Sequence, residues 1–279
     1  MEKALVLGGG GVTGIAWEIG LLAGLAEHGV DLTDADLVIG TSAGSVVGVD
    51  VRSGTGLREL YKLQTQPPGD KEIYARMSLG LTVKFVRIML FSRKPEVVRV
   101  RIGAMALRAK TEPEEVRRRI IESRLPTLDW PPGMLQITAV DALTGELKVF
   151  DAASGARLID AVGASCAVPG IWPPVTINGR RYVDGGIQSA TNADLAAGYD
   201  RVIIIAPLAS GFGAMASAAN QARALSEAGA RVTVIKPDKA ALHAIGKNVL
   251  NPARRPAAAL AGYAQAASVT DEAKRVWSA

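Results

Sequence analysis

Twice within about its first 50 residues the chain runs a short apolar stretch into glycine and then into a segment with helical spacing. Ala4-Leu5-Val6-Leu7 ends in four glycines, Gly8 to Gly11, and Ile15, Ile19, Leu22 and Leu25 follow three or four residues apart. Leu37-Val38-Ile39 ends in Gly40-Thr41-Ser42-Ala43-Gly44, and a small-residue helix is predicted over 43–51. An apolar run without polar alternation belongs to a strand covered on both faces, the condition of a central parallel strand. A strand-loop-helix unit repeated at once connects parallel neighbours by crossovers. The expected fold class is α/β, a three-layer α/β/α sandwich with a mainly parallel central sheet.

The second junction carries a serine between two glycines. A strand that reverses sharply into a helix leaves no room for side chains two positions before and after the turn residue, and Gly40 and Gly44 have none. Such a turn lifts the Ser42 hydroxyl off the sheet at the amino end of the next helix, where free N–H groups and the helix dipole favour negative charge. The same letters also read as a βα loop with a helix-capping serine. At the first junction, Gly9-Gly10-Gly11-Val12-Thr13-Gly14 lets several backbone N–H groups face one oxygen, and Gly10 and Gly11 are the expected donors to an oxyanion. Its Gly-x-Gly-x-x-Gly spacing suits a dinucleotide too. That reading wants an acid at the carboxyl end of the second strand, whereas Asp34 and Asp36 precede it.

Farther along, Asn178-Gly179 supplies both positive-φ positions of a tight hairpin between 175–177 and 181–183, and Asp184-Gly185-Gly186 follows at once. An aspartate there is commonly a turn former. A serine nucleophile nevertheless needs a base, and the chain has two histidines. His28 stands at a helix end, where a structural cap is expected, and His243 falls on a predicted helix face within 240–245.

With 279 residues and 48% hydrophobic content, the chain can bury a sizeable core. A single cysteine, Cys166, suits a reducing compartment, and the first residues lack the pattern of a signal peptide. The longest uncharged run, 202–222, is broken by Pro207, Gly211 and Gly213, so no transmembrane span is expected. A cytoplasmic location, with peripheral membrane association, is the expectation.

The net charge of +5 is unevenly placed. Residues 71–124 hold 14 Lys/Arg and 6 Asp/Glu, a local excess of +8 that leaves −3 for the remainder. A helix is predicted over 79–91 after the break Pro67-Pro68-Gly69-Asp70, and another begins near Thr111-Glu112-Pro113-Glu114 with Thr111 as cap. Residues 79–108 interleave apolar side chains with Lys84, Arg87, Arg93, Lys94, Arg99 and Arg101. They read either as an interfacial patch for anionic membrane or as a core helix with a basic rim. Arg117-Arg118-Arg119 reads as a charged helix face. No aromatic-and-glycine recognition pattern accompanies the charge, so nucleic acid is not expected. Further on, a hairpin is predicted around Thr144-Gly145, a helix over 158–164, strands over 201–208 and 231–235, a helix over 214–228, and helix over 256–277 in one or two pieces.

Together these residues resemble the patatin-like phospholipases, a family of lipid acyl hydrolases. Gly9 to Gly14 look like its oxyanion loop and Gly40-Thr41-Ser42-Ala43-Gly44 like its nucleophile elbow. Ala164-Ser165-Cys166-Ala167-Val168-Pro169-Gly170, with Pro173-Pro174, looks like its approach to the acid, and Asp184-Gly185-Gly186 like the acid itself. The resemblance covers about the first 50 residues and about 155–210. It implies a Ser42–Asp184 dyad that cleaves carboxylic esters of lipids through an acyl-enzyme, without metal or organic cofactor. Family members usually carry Arg or Lys where Thr13 stands, which weakens the implication of a phospholipid substrate in particular. The chain is expected to form a single hydrolase domain over 1–279, with 52–133 a variable basic, amphipathic insertion and 238–279 a helical C-terminal extension. Two rivals remain: an α/β-hydrolase-fold esterase using Ser42, Asp184 and His243, which would place several strands before its nucleophile, and a catalytically silent lipid-binding scaffold.

Overall fold

The structure, a computed structural model, describes residues 1–68, 74–92, 94–210 and 216–278. Strand β1 (Lys3–Leu7) leads into helix α1 (Gly11–Glu27), and β2 (Leu37–Thr41) into α2 (Ala43–Arg52). Helices α3 (Leu57–Thr65), α4 (Leu79–Leu90), α5 (Pro95–Leu107) and α6 (Glu114–Glu122) follow. Next come β3 (Met134–Asp141), β4 (Leu147–Phe150), α7 (Leu158–Ser165) and the hairpin β5 (Val175–Ile177) with β6 (Arg180–Asp184). The chain closes with β7 (Arg201–Ile205), α8 (Ala218–Glu227), β8 (Arg231–Ile235), α9 (Lys239–Ile245) and α10 (Arg255–Trp277).

The strands form one sheet in the order β5-β6-β3-β2-β1-β7-β8, with β4 also paired to β3. The pairs among β3, β2, β1, β7 and β8 are parallel, while β4, β5 and β6 run antiparallel to their neighbours. Strand periodicity divides the apolar runs between two faces. Leu5, Leu7, Val38, Ile203 and Ile205 enter a core with α1, α2, α7 and α10. Ala4, Val6, Leu37, Ile39, Val202 and Ile204 enter a second core with α8 and a 3₁₀ turn at Ala193–Ala196. The result is the three-layer arrangement expected from the two opening units.

Pairing along β3 sets the position of everything chemical. Its residues Met134 to Thr138 pair with β2, ending at Thr41↔Thr138, and Ala139 to Asp141 pair with β6, beginning at Ala139↔Asp184. Thr138, Ala139 and Val140 also pair with β4. A strand has two edges, so β2 and β6 share the edge opposite β4. They approach from opposite directions and meet end to end between Thr138 and Ala139, which juxtaposes Ser42 and Asp184, 142 residues apart in sequence.

Helix α10 lies along α1 at very close range. A Cβ built on Gly262 would fall 2.2 Å from Trp17 O, and one on Gly20 would fall 2.1 Å from Ala259 O. Gln265 Oε1 accepts from Trp17 Nε1 at 3.1 Å within this contact. The alanine-rich stretch is therefore one continuous helix, because its internal glycine is a packing position rather than a break.

Three local readings differ from the structure. Thr111 does not cap α6: a proline at 113 disfavours helical backbone at Glu112, so the helix starts at Glu114 after Pro113. The Glu114 carboxylate instead accepts from Thr176 N (2.7 Å) and Thr176 Oγ1 (3.0 Å) on β5. Residues 79–108 divide between two helices. α4 has no buried residue, whereas α5 buries Val98, Ile102, Gly103 and Ala106 against Val140, Val183 and Ile187. Arg117 does not share the exposed basic face with Arg118 and Arg119, being 5% exposed. Gly69-Asp70, Lys71, Arg93 and the predicted helix start at 214 lie outside the described residues. Among the described residues no helix is long and apolar enough to cross a membrane.

Gly262→Ala forces a methyl group into backbone on α1. The expected cost is about 1–3 kcal/mol, the range of core overpacking, read as a lowered midpoint in urea; an unchanged midpoint would contradict the tight α1–α10 contact.

Candidate active site

Ser42 stands between β2 and α2 with φ 52° and ψ −113°, a backbone conformation rare for a residue with a side chain. Such strain costs of order 1–3 kcal/mol and needs surrounding structure to hold it. Three bonds supply this. Ser42 N donates to Ser165 Oγ (2.8 Å), while Ser42 O accepts from Ser45 Oγ (2.6 Å) and Cys166 Sγ (3.3 Å). At about 0.5–1.5 kcal/mol each, they offset the strain. The flanking glycines matter through close approach. A Cβ on Gly44 would sit 2.1 Å from Leu7 O on β1, and one on Gly40 would sit 2.6 Å from Gly44 O.

The Ser42 hydroxyl donates to Asp184 Oδ2 at 2.7 Å. Asp184 Oδ1 accepts from Gly186 N at 2.7 Å, and Asp184 N donates to Ala167 O at 3.1 Å. The segment 165–167 thus grips both the serine turn and the aspartate. Gly185 lies flat against β3, where a Cβ would meet Thr138 Oγ1 at 2.4 Å. Behind it, Asn192, in left-handed backbone, donates through Nδ2 to Thr41 Oγ1 (2.9 Å) and Ser189 O (2.9 Å), tying the loop after Asp184 to the strand before Ser42.

Both groups are buried, at 8% and 4% exposure. Burial pushes the Asp184 carboxyl up to about 6, against the downward pull of the Ser42 and Gly186 hydrogen bonds and the Arg117 charge. Burial, with the Asp184 charge added, pushes the Cys166 thiol up to about 11, which makes it a poor nucleophile beside Ser42.

Around the pair is a cavity of about 510 Å³. Gly9, Gly10 and Gly11 form one wall. Gly9 N donates to Ala190 O, but the N–H groups of Gly10 and Gly11 have no acceptor among the described residues, and neither does that of Ala43, the residue after the serine. Gly10 is confined by Pro207, 2.5 Å from a built Cβ, and Gly11 has φ 60°. Gly9 and Gly14, by contrast, have ordinary contact distance for a Cβ. Thr13 N and Oγ1 both donate to Val249 O, joining the glycine loop to the segment that closes the cavity on that side. Opposite it, Phe85, Val86 and Met89 of α4 provide an apolar wall.

Of the residues expected at a site, the structure gathers Ser42, Asp184, the glycine loop and Gly186. It leaves His243 exposed on α9, outside the cavity lining, and His28 exposed at the end of α1. The direct serine-aspartate bond leaves no space for an imidazole between them. Among the described residues no three His, Cys, Asp or Glu side chains cluster as metal ligands would. Ser165 was named only within the approach to the acid, and its bond to Ser42 N was not anticipated; Asn192, the Ala43 amide and Arg117 were not legible beforehand as parts of this site.

Two solved structures match the chain at 16% identity. VipD from Legionella pneumophila is covered to 67% of its length by 97% of this chain, with a TM-score of 0.49. The type III effector protein ExoU is covered to 53% by 98% of the chain, with a TM-score of 0.43. The family model of patatin-like phospholipases matches residues 5–197, a span that contains the glycine loop, Ser42 and Asp184. By that match over more than half its length, the chain belongs to the patatin-like phospholipase family.

Proposed function

We propose that the chain is a serine hydrolase of lipid carboxylic esters, working through Ser42 and Asp184 alone. The observation that carries this reading is the 2.7 Å bond from a nucleophile-type serine to a buried carboxylate. Ser42 Oγ attacks the acyl carbonyl carbon as Asp184 Oδ2 takes its proton. The carbonyl oxygen, now an anion, is held by the free N–H groups of Gly10, Gly11 and Ala43. Collapse breaks the ester C–O bond, Asp184 returns the proton to the leaving alkoxide, and the acyl group stays on Ser42. A water then enters, gives a proton to Asp184 and attacks the acyl carbon. The carboxylic acid leaves as Ser42 Oγ recovers that proton.

The same reading treats 1–279 as one hydrolase unit, since α10 completes the core that α1 begins. Helix α4 acts as its acyl-binding wall, because Phe85, Val86 and Met89 line the cavity. The outer side of α4 suits an anionic membrane: Leu79, Leu90 and Phe91 are 80%, 72% and 73% exposed, with Lys84 and Arg87 exposed among them. Leu90→Asp with Phe91→Asp should lower binding to vesicles containing phosphatidylglycerol without lowering turnover of a water-soluble ester. Equal vesicle binding by the variant would remove this face from the account.

Turnover of p-nitrophenyl esters tests the chemistry. Ser42→Ala should abolish it, Asp184→Asn should lower kcat by about 10²–10⁴, and His243→Ala should leave it within twofold. In the wild type, kcat/KM should rise with an apparent pKa of about 6, because the base works only when ionised. Folding holds the Asp184 proton more tightly than the unfolded chain does. Stability from this group is therefore lost as pH rises from the ordinary carboxylate range to about 6, and Asp184→Asn should melt no lower than wild type at pH 8. Full activity in Asp184→Asn would refute the dyad.

A further inference from the structure

Arg117 sits on α6 with 5% exposure and lines the same cavity as Ser42 and Asp184. Its guanidinium lies over the Trp172 ring, 4.0 Å from the centroid. Its Nε and Nη1 are buried and find no hydrogen-bond acceptor among the described residues. A guanidinium taken out of water with its fork unfilled is costly, and burial is compensated in proteins by an anion and hydrogen bonds. Burial and the Arg124 charge lower its pKa to about 10, so it is still a cation at neutral pH. The ring face of Trp172 secures the plane of the fork at the cavity wall.

The charges around the cavity point the same way. Among the described residues its lining holds three cations, Arg117, Arg124 and Lys247, against one acid, Asp184. The rest of the wall is mainly apolar, with Phe85, Met89 and Ile171. A ligand that satisfies both has an acyl chain and an anionic group close to its ester. Thr13 brings no charge to the glycine loop, whereas α6 brings Arg117 to the cavity.

We propose that Arg117 is the anion-recognition residue of this cavity and binds the phosphate of a glycerophospholipid whose acyl carbonyl lies against Ser42. This rests on the ester-hydrolase reading and names the residue that selects its substrate. A phosphodiester presents two oxygens to the guanidinium fork in the bidentate way that Lys reproduces only partly. In such a lipid the phosphate stands a few bonds from the nearest acyl carbonyl. Arg117 and Asp184 line the same cavity, and the Arg117 charge draws the Asp184 carboxyl downward against burial.

The test separates binding from chemistry. In Ser42→Ala protein, octyl phosphate, inorganic phosphate and octanol are titrated at concentrations below micelle formation, with and without Arg117→Met. Octyl phosphate should bind about 10- to 100-fold more weakly in the Arg117→Met protein, the worth of a charged hydrogen-bonded contact, and octanol equally in both. Arg117→Lys should restore part of the loss. In protein that keeps Ser42, Arg117→Met should lower the ratio of kcat/KM for dihexanoyl phosphatidylglycerol to that for p-nitrophenyl hexanoate by a similar factor. Unchanged octyl phosphate binding overturns the proposal. An unchanged ratio, with both substrates slowed together and the acid limb moved upward, also overturns it and reduces Arg117 to a charge acting on Asp184. Inorganic phosphate binding as tightly as octyl phosphate overturns the lipid assignment. Failure of the hydrolase reading looks different: no ester turnover, or turnover unaffected by Ser42→Ala. Melting temperature serves as the folding control, and Arg117→Met should melt no lower, since it replaces a buried cation by an apolar chain of similar length.

Discussion

One edge of β3 is shared by two strands that run toward each other. The eight residues of that strand are divided, the first part pairing with β2 and the last three with β6. Backbone pairing of this kind fixes register to a single residue, because a slip of one would move every buried side chain to the opposite face of the sheet and into the wrong core. The serine turn and the aspartate turn therefore cannot drift apart without unpicking the sheet. The geometry of the Ser42–Asp184 pair is set first by strand pairing and then by the contacts that hold the two turns.

Strain at Ser42 becomes intelligible in that setting. A turn residue with positive φ would relax if its peptide were free, but its N–H and C=O are both held, and the segment that holds them also holds Asp184 N. The stretch 165–167 works as a jig between the two turns. Cys166 belongs to this role: its buried thiol donates to Ser42 O, and burial pushes that thiol up to about 11, so it acts as a structural contact beside the Ser42–Asp184 pair.

Much of this was legible in the residues because it depends on local stereochemistry. Uninterrupted apolar runs, glycine at points of backbone contact and Asn-Gly at a hairpin leave few alternatives, so the sheet, the elbow and the glycine loop could be anticipated. What could not be read depends on long-range packing. Nothing local marks Arg117 as different from Arg118 and Arg119; only the docking of α6 beside Trp172 turns it inward. Asn192 looks like an ordinary loop residue until Thr41 and Thr138 are brought beside it. The Thr111 capping pattern is overridden by the restriction that Pro113 places on the residue before it. The role of 79–108 could not be settled from periodicity, since α4 and α5 have similar composition and differ in what covers them.

The apolar wall, the basic lining and the buried pair line one cavity, so the proposed chemistry and substrate choice share a single surface. The claim beneath all of it is that Asp184 activates Ser42 directly. Fluorophosphonate labelling followed by peptide mass analysis measures this without choosing a substrate. The account predicts a single adduct on Ser42 whose rate of formation rises through pH of about 6 and collapses in Asp184→Asn. An adduct on another residue, or labelling of Ser42 at an undiminished rate in Asp184→Asn, would contradict it.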